Sequence, residues 1–174
     1  HGYRFERAFV SQLKRAEQTL EIVLRELGQS DLPVERSWRL NERHYGSLEG
    51  HDKAAFAAEH GEHRLQRLRR GYRARPTPLA APDPRPPRHQ GIYRDIDPGL
   101  LPATESLADT TARLLPYWNA TIAPAVARGE RVLIVSHGNT LRALVMHLEG
   151  MTEREVERFE IPTGRPLVFE LAPG

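Results

Sequence analysis

The chain has no cysteine among its 174 residues. That excludes disulfides, thiolate metal sites and a cysteine nucleophile, and it is compatible with a reducing compartment. No apolar run approaches the roughly 20 residues needed to cross a bilayer. No signal-like apolar segment opens the chain either. These absences lead to the expectation of a soluble, cytoplasmic protein. Lysine is nearly missing too: of 25 basic residues, only Lys14 and Lys53 are lysine. The rest are arginine, whose planar fork suits bidentate recognition of phosphate and carboxylate. A GC-rich genome would produce the same excess. Length fits one domain over residues 1–174.

Against this background the run Arg131-Val-Leu-Ile-Val-Ser-His137-Gly138-Asn139-Thr-Leu-Arg142 stands out. It predicts a buried strand over 131–136 that stops at a histidine, with a helix from Asn139 to Leu148 directly behind. In an open parallel sheet, ligands bind at the carboxyl ends of strands. A helix N-terminus there offers free N–H groups and partial positive charge to an anion. The same pattern also fits a histidine that merely caps the strand.

Ala8-Phe9-Val10 predicts another strand, followed by a helix with Ser11 as N-cap and Gly28 just past its end. Leu32 to Leu40 reads as extended, and Asn41 to Gly50 as an irregular connection. Asp52 is placed to cap a helix from Lys53 to Glu59, and a second helix runs from about Glu62 to Tyr72. Residues 74 to about 103 hold eight of the 14 prolines, so a Pro-rich loop laid over the site is expected there. Thr104 to Arg128 predicts a helix broken or kinked at Pro116 and Pro124. A short helix from Thr152 and a last strand, Leu167 to Leu171, complete the reading. Strands alternating with helices predict a three-layer α/β/α sandwich with a mostly parallel sheet. Three strands are few for such a sheet.

Arg15 sits one turn into the first helix, on the same rim as His137. An arginine and a histidine converging there would suit a tetrahedral oxyanion; a solvated helix face explains Arg15 equally well. Glu42 is the sole carboxylate between Trp38 and Gly46, flanked by cations. A carboxyl group beside a phosphate can deliver or accept a proton, while a structural ion pair to a neighbouring arginine would leave the same pattern.

The segments Ser11-x-Leu13-x-Arg15-Ala16, Arg39-Leu40-Asn41-Glu42-Arg43-His44-Tyr45-Gly46, Lys53-Ala54, Arg69-Arg70-x-Tyr72, Thr104-Glu105-Ser106-Leu107, Pro116-Tyr117-Trp118, His137-Gly138-Asn139-x-Leu141-Arg142-Ala143-Leu144 and Ile161-Pro162-Thr163-Gly164 follow one another along the chain. Together they resemble the cofactor-dependent phosphoglycerate mutases of the histidine phosphatase superfamily, collinearly and over essentially the whole length. The resemblance implies a metal-free isomerase of glycolysis and gluconeogenesis that interconverts 3- and 2-phosphoglycerate through a phosphohistidine, primed by 2,3-bisphosphoglycerate. It implies that Glu42 is the general acid/base and that His137 and Arg15 stabilise the transferring phosphoryl group. Arg15, Glu42, Arg43, His44, Tyr45, Lys53, Arg69, Arg70, Gly138 and Asn139 would surround the small phosphorylated acid. It also implies homodimers or homotetramers. Neither nucleic acid nor membrane is an expected partner: along the arginine-rich stretch 64–75 only Tyr72 offers an aromatic platform.

The family's nucleophile is a histidine in an Arg-His-Gly motif on its first strand, and no Arg-His-Gly occurs in this chain. His1-Gly2 aligns elsewhere: through Tyr3, Phe5 and Ser11 it falls at the end of the family's first helix. The first strand, the nucleophile and an early substrate loop are therefore expected to lie outside this chain, which opens without methionine. The 174 residues alone are expected to show no mutase activity. Leu68 stands where the family carries tryptophan, and the chain stops at Gly174 without the family's C-terminal tail. Two alternatives stay open, a histidine-type phosphatase acting on small phosphate esters and a truncated non-catalytic paralogue.

Overall fold

The computed structural model describes residues 2–80 and 82–171, so His1 and Gly174 lie outside the described residues. Strand β1 (Arg7–Val10) lies between β2 (Val34–Arg36) and β3 (Val132–Val135) in a parallel sheet. The register pairs Phe9 with Glu35 on one side and with Ile134 on the other. Ala8, Phe9 and Val10 are wholly buried because β1 has neighbours at both edges and apolar layers on both faces.

One face carries helix α1 (Lys14–Leu27), whose Ala16, Leu20 and Leu24 pack on Ala8 and Val10. The opposite face carries α4 (Leu107–Tyr117) and α6 (Gly138–Glu149), with Leu107, Leu114, Ala143 and Leu144 around Phe9. Between β2 and α4 run α2 (Lys53–His60), α3 (Glu62–Arg70) and the Pro-rich segment, which contains only single 3₁₀ turns such as Pro87–His89 and Gly91–Tyr93. α5 (Ala123–Ala127) precedes β3, and α7 (Glu153–Arg158) follows α6. The expected α/β/α sandwich with a parallel sheet is present.

Several boundaries differ from expectation. α1 starts at Lys14 with Leu13 as its cap residue, and Ser11 is no N-cap: its hydroxyl faces His137 instead. α3 ends at Arg70 because the Tyr72 amide turns to the Glu157 carboxylate rather than to the helix. α4 starts after Ser106, not Thr104, where Ser106 and Asp109 form a capping box. The expected break near the prolines takes the form of a π turn at Trp118–Ile122, after which Pro124 occupies the first turn of α5, where no N–H is required.

The last strand is not formed. Residues 167–171 have no regular structure, and Leu167, Val168, Phe169 and Leu171 are exposed. Their backbone pairs with no strand among the described residues.

Candidate active site

A cleft of about 750 Å³ opens at the carboxyl ends of β1 and β3. At its edge β3 gives way to His137, which keeps an extended backbone (φ −127°) as the residue before α6. Gly138 and Asn139 therefore bring the α6 N-terminus to the cleft. The turn is pinned by the Ser136 hydroxyl, which donates to the Leu40 carbonyl at 2.6 Å.

The His137 ring is held at both nitrogens. Arg15, on the first turn of α1, donates from Nε to Nδ1 at 3.2 Å, and Ser11 Oγ lies 2.7 Å from Nε2. Burial, followed by the charges of Arg15 and Arg113, pushes the imidazole down to about 3, so the ring is neutral near pH 7. Arg15 makes no ion pair among the described residues; it is exposed and lines the open cleft.

The segment from Asn41 to Gly46 forms the adjacent wall. Asn41 accepts from the Gln12 amide at 2.9 Å and donates to the Tyr93 hydroxyl at 2.7 Å, tying the turn between β1 and α1 to the Pro-rich segment. Glu42 Oε1 accepts from its neighbour's amide, Arg43 N, at 2.8 Å and from Asn139 N at 3.3 Å. It makes no ion pair among the described residues. The carboxylate thus rests on the α6 N-terminus beside the His137 turn. Asn139 Nδ2 donates to the Tyr45 hydroxyl at 2.8 Å, and His44 Nδ1 accepts from Gly46 N at 3.0 Å. Burial lowers the affinity of the His44 ring for a proton.

Also in the wall of the cleft, Arg43 is almost wholly buried, with its guanidinium 4.5 Å from the Tyr45 ring centre. Its Nη2 donates to the carbonyls of Leu68 and Arg69 at 2.6 and 3.2 Å, while Nε and Nη1 have no acceptor. Arg142 stands nearby, donating to Asn139 Oδ1 at 3.0 Å and to the Val156 carbonyl, with its own Nε unpartnered. Burial, then Arg70 and Arg43, lowers its guanidinium to about 10. Buried donors without acceptors are costly. Lys53, Arg69 and Arg70 also line the cleft, although Arg70 is engaged by Glu160 at 2.7 Å.

Every residue singled out from the sequence therefore lines the cleft or, for His137, touches a residue that does. Four contributors were not foreseen: Ser11, Arg142, Arg113 and Glu105. Arg113 and Glu105 form a buried pair at 2.7 Å. Arg113 also donates to the carbonyls of Arg39 and Asn41 at 2.7 and 3.1 Å. Glu105 accepts from His44 N at 2.9 Å. The pair thereby clamps the backbone on both sides of Glu42. Ser11, Glu105 and Arg142 stood in segments that carried the resemblance, without a site role; nothing local distinguishes Arg113 from other helical arginines.

Comparison with known proteins identifies the family. The sequence profile of the histidine phosphatase superfamily (branch 1) matches residues 1–96 and 80–174. A 2,3-bisphosphoglycerate-dependent phosphoglycerate mutase of Nitratidesulfovibrio vulgaris (strain DSM 19637 / Miyazaki F) is 54% identical over 170 residues, covering 98% of this chain and 68% of the relative. Among solved structures, a mycobacterial glucosyl-3-phosphoglycerate phosphatase superposes with a TM-score of 0.59 at 22% identity, over 86% of this chain and 61% of that one. The phosphoglycerate mutase of Bacillus anthracis gives 0.57 at 22% identity with the same coverage of 86% and 61%. The chain thus spans less than two thirds of these solved structures. Fold, cleft and sequence agree that this chain belongs to the histidine phosphatase superfamily, branch 1.

Proposed function

We propose that the protein interconverts 3- and 2-phosphoglycerate by phosphoryl transfer through a histidine. The observation that carries this reading is one cleft that gathers Arg15, Arg43 and Arg142 with the carboxylate of Glu42. His137 is held by Arg15, and Glu42 rests on the α6 N-terminus. A substrate with a phosphate and a carboxylate needs both anionic ends gripped while one hydroxyl exchanges its proton.

In this reading Arg15, His137 and the α6 N-terminus stabilise charge on the transferring phosphoryl group, the kind of preorganised electrostatics that dominates such reactions. Glu42 moves the proton between the substrate hydroxyl and the transferring group. Arg43, His44, Tyr45, Lys53, Arg69, Arg70, Gly138 and Asn139 hold the remaining phosphate and carboxylate. The unpartnered Arg43 and Arg142 donors suit 2,3-bisphosphoglycerate as well, which when bound supplies the priming phosphoryl group. The nucleophilic histidine is not among these residues. The outer edge of β3 has no partner among the described residues, and Val132–Val135 stay half-exposed. A further parallel strand there would end beside His137, where a nucleophile is required.

The test uses the protein expressed from its complete reading frame in a coupled assay for 2-phosphoglycerate. Glu42→Gln and His137→Ala are each expected to lower kcat by about 10²–10⁴-fold. Unchanged rates overturn the assignment. Steady phosphate release from small phosphate esters, with no requirement for 2,3-bisphosphoglycerate, would instead establish the hydrolase.

A further inference from the structure

Ser11 is wholly buried at the carboxyl end of β1, and Arg15 follows four residues later. The two side chains grip opposite nitrogens of one imidazole. A serine hydroxyl can donate or accept, so its distance of 2.7 Å from Nε2 alone assigns no proton. The other nitrogen decides. A guanidinium only donates, so Nδ1, 3.2 Å from Arg15 Nε, bears a lone pair. In the neutral ring the proton must then sit on Nε2, and Ser11 Oγ is its acceptor. That oxygen also accepts from the Leu13 amide at 3.2 Å.

We propose that Ser11 is a positioning residue that anchors the His137 ring by accepting its Nε2 proton while Arg15 faces Nδ1, so that entry of a phosphoryl anion beside Arg15 draws one proton from solvent onto Nδ1. The proposal rests on the reading of this cleft as a phosphoryl site. The groups that act on the ring are Arg15 from α1 and Arg113 from α4, both cationic, while the Glu42 carboxylate is turned to the amides of Arg43 and Asn139. Without a ligand, burial and the two cations hold the ring neutral. A tetrahedral dianion reverses that balance. It accepts from Arg15 and compensates both cations, and an Nδ1 lone pair facing its oxygens would be repelled. With a proton on Nδ1, the ring donates to the anion there and to Ser11 from Nε2, so no ring nitrogen is left unpaired. The reacting phosphoryl group then meets an imidazolium on an unchanged ring plane.

The full chain, labelled with ¹⁵N in histidine, tests this by ring-nitrogen NMR, with the His137 signals assigned by their loss in His137→Gln. The probe is sulfate, a tetrahedral dianion with no proton of its own to exchange near pH 7. The expected spectrum shows the Nε2–H tautomer in the free protein and imidazolium with sulfate. Calorimetry in two buffers of different ionisation enthalpy is expected to show uptake approaching one proton per sulfate, and affinity should fall by up to tenfold per pH unit as pH rises. Ser11→Ala should keep the Nε2–H tautomer that Arg15 sets but leave that proton without its acceptor and bind sulfate about tenfold more weakly, and Ser11→Thr should restore binding. An Nδ1–H ring in the free protein, sulfate binding without proton uptake, or an unchanged Ser11→Ala variant each overturns the proposal. If Ser11→Ala fails to fold, the free-protein tautomer and proton count decide alone. Absence of sulfate binding overturns both this proposal and the phosphoryl-site reading. Proton-coupled binding in a protein that does not isomerise phosphoglycerate leaves the proposal standing and removes only the mutase assignment.

Discussion

His137 is buried as a neutral ring, and its proton affinity ties stability to pH. The unfolded chain protonates histidine near 6.5, whereas the folded ring does so at about 3. Between those values the unfolded state binds more protons, so lowering the pH favours unfolding. The stabilising contribution is complete above about pH 6.5 and is lost as pH falls toward about 3. His44, also shifted downward by burial, acts in the same sense. Carboxylates such as Asp83, held at about 2 by Arg85, lose their contribution only at more acidic pH, below the ordinary aspartate range. Urea midpoints measured between pH 7 and 4.5 should therefore fall in the wild type, and His137→Gln should flatten much of that fall. An identical slope in both proteins would contradict the buried neutral ring. Arg43 shows the opposite economy of design, because it is a cation kept buried with two unpaired donors although stability alone would favour pairing them.

α4 contributes more to the site than its distance from the chemistry implies. Arg113 projects from its middle into the carbonyls of Arg39 and Asn41, and Glu105, just ahead of the helix, takes the His44 amide. Neither side chain is more than a tenth exposed. Removing one partner of such a pair leaves the other charge buried alone, at a cost of about 3–5 kcal/mol. Arg113→Met should show that loss in denaturant unfolding, together with lower kcat in the complete enzyme because the backbone around Glu42 is released. A change below ~1 kcal/mol, the range of surface pairs, would mean the pair is solvated. The Pro-rich segment is seated by contact as well: Gly46 has φ +57°, and a Cβ there would lie 2.2 Å from the Thr77 carbonyl. Only glycine lets the wall carrying Glu42 approach that segment so closely.

For the molecule as a whole, the sheet is complete on one side of β1 only as far as β2, and ends on the other at β3. The cleft built on that sheet holds charge-stabilising groups and a carboxylate but no Arg-His-Gly nucleophile. Loss of a nucleophile costs on the order of 10⁴-fold or more. These 174 residues, assayed alone, should show no mutase activity, while sulfate or phosphate still binds beside Arg15. Isomerisation of 3-phosphoglycerate at an ordinary enzymatic rate by this chain alone would refute the assignment of the nucleophile to a separate segment.

By itself, the sequence determined what spacing over a few residues can encode. The helix closed by Gly28, the Asp52 cap ahead of the next helix and the strand leading to His137 are all local, and all are present. Its motifs also carried the resemblance that led to Glu42, Arg15 and His137. Tertiary structure alone decided that Ser11 leaves its helix for a ring 126 residues away and that Arg113 closes on Glu105 and the Glu42 wall. It also decided that residues 167–171 stay out of the sheet. The reason is common to all three. A cap or a helical face is satisfied by its own neighbours in sequence, whereas a buried hydroxyl, a buried charge or a strand edge takes whichever partner the folded chain brings within reach.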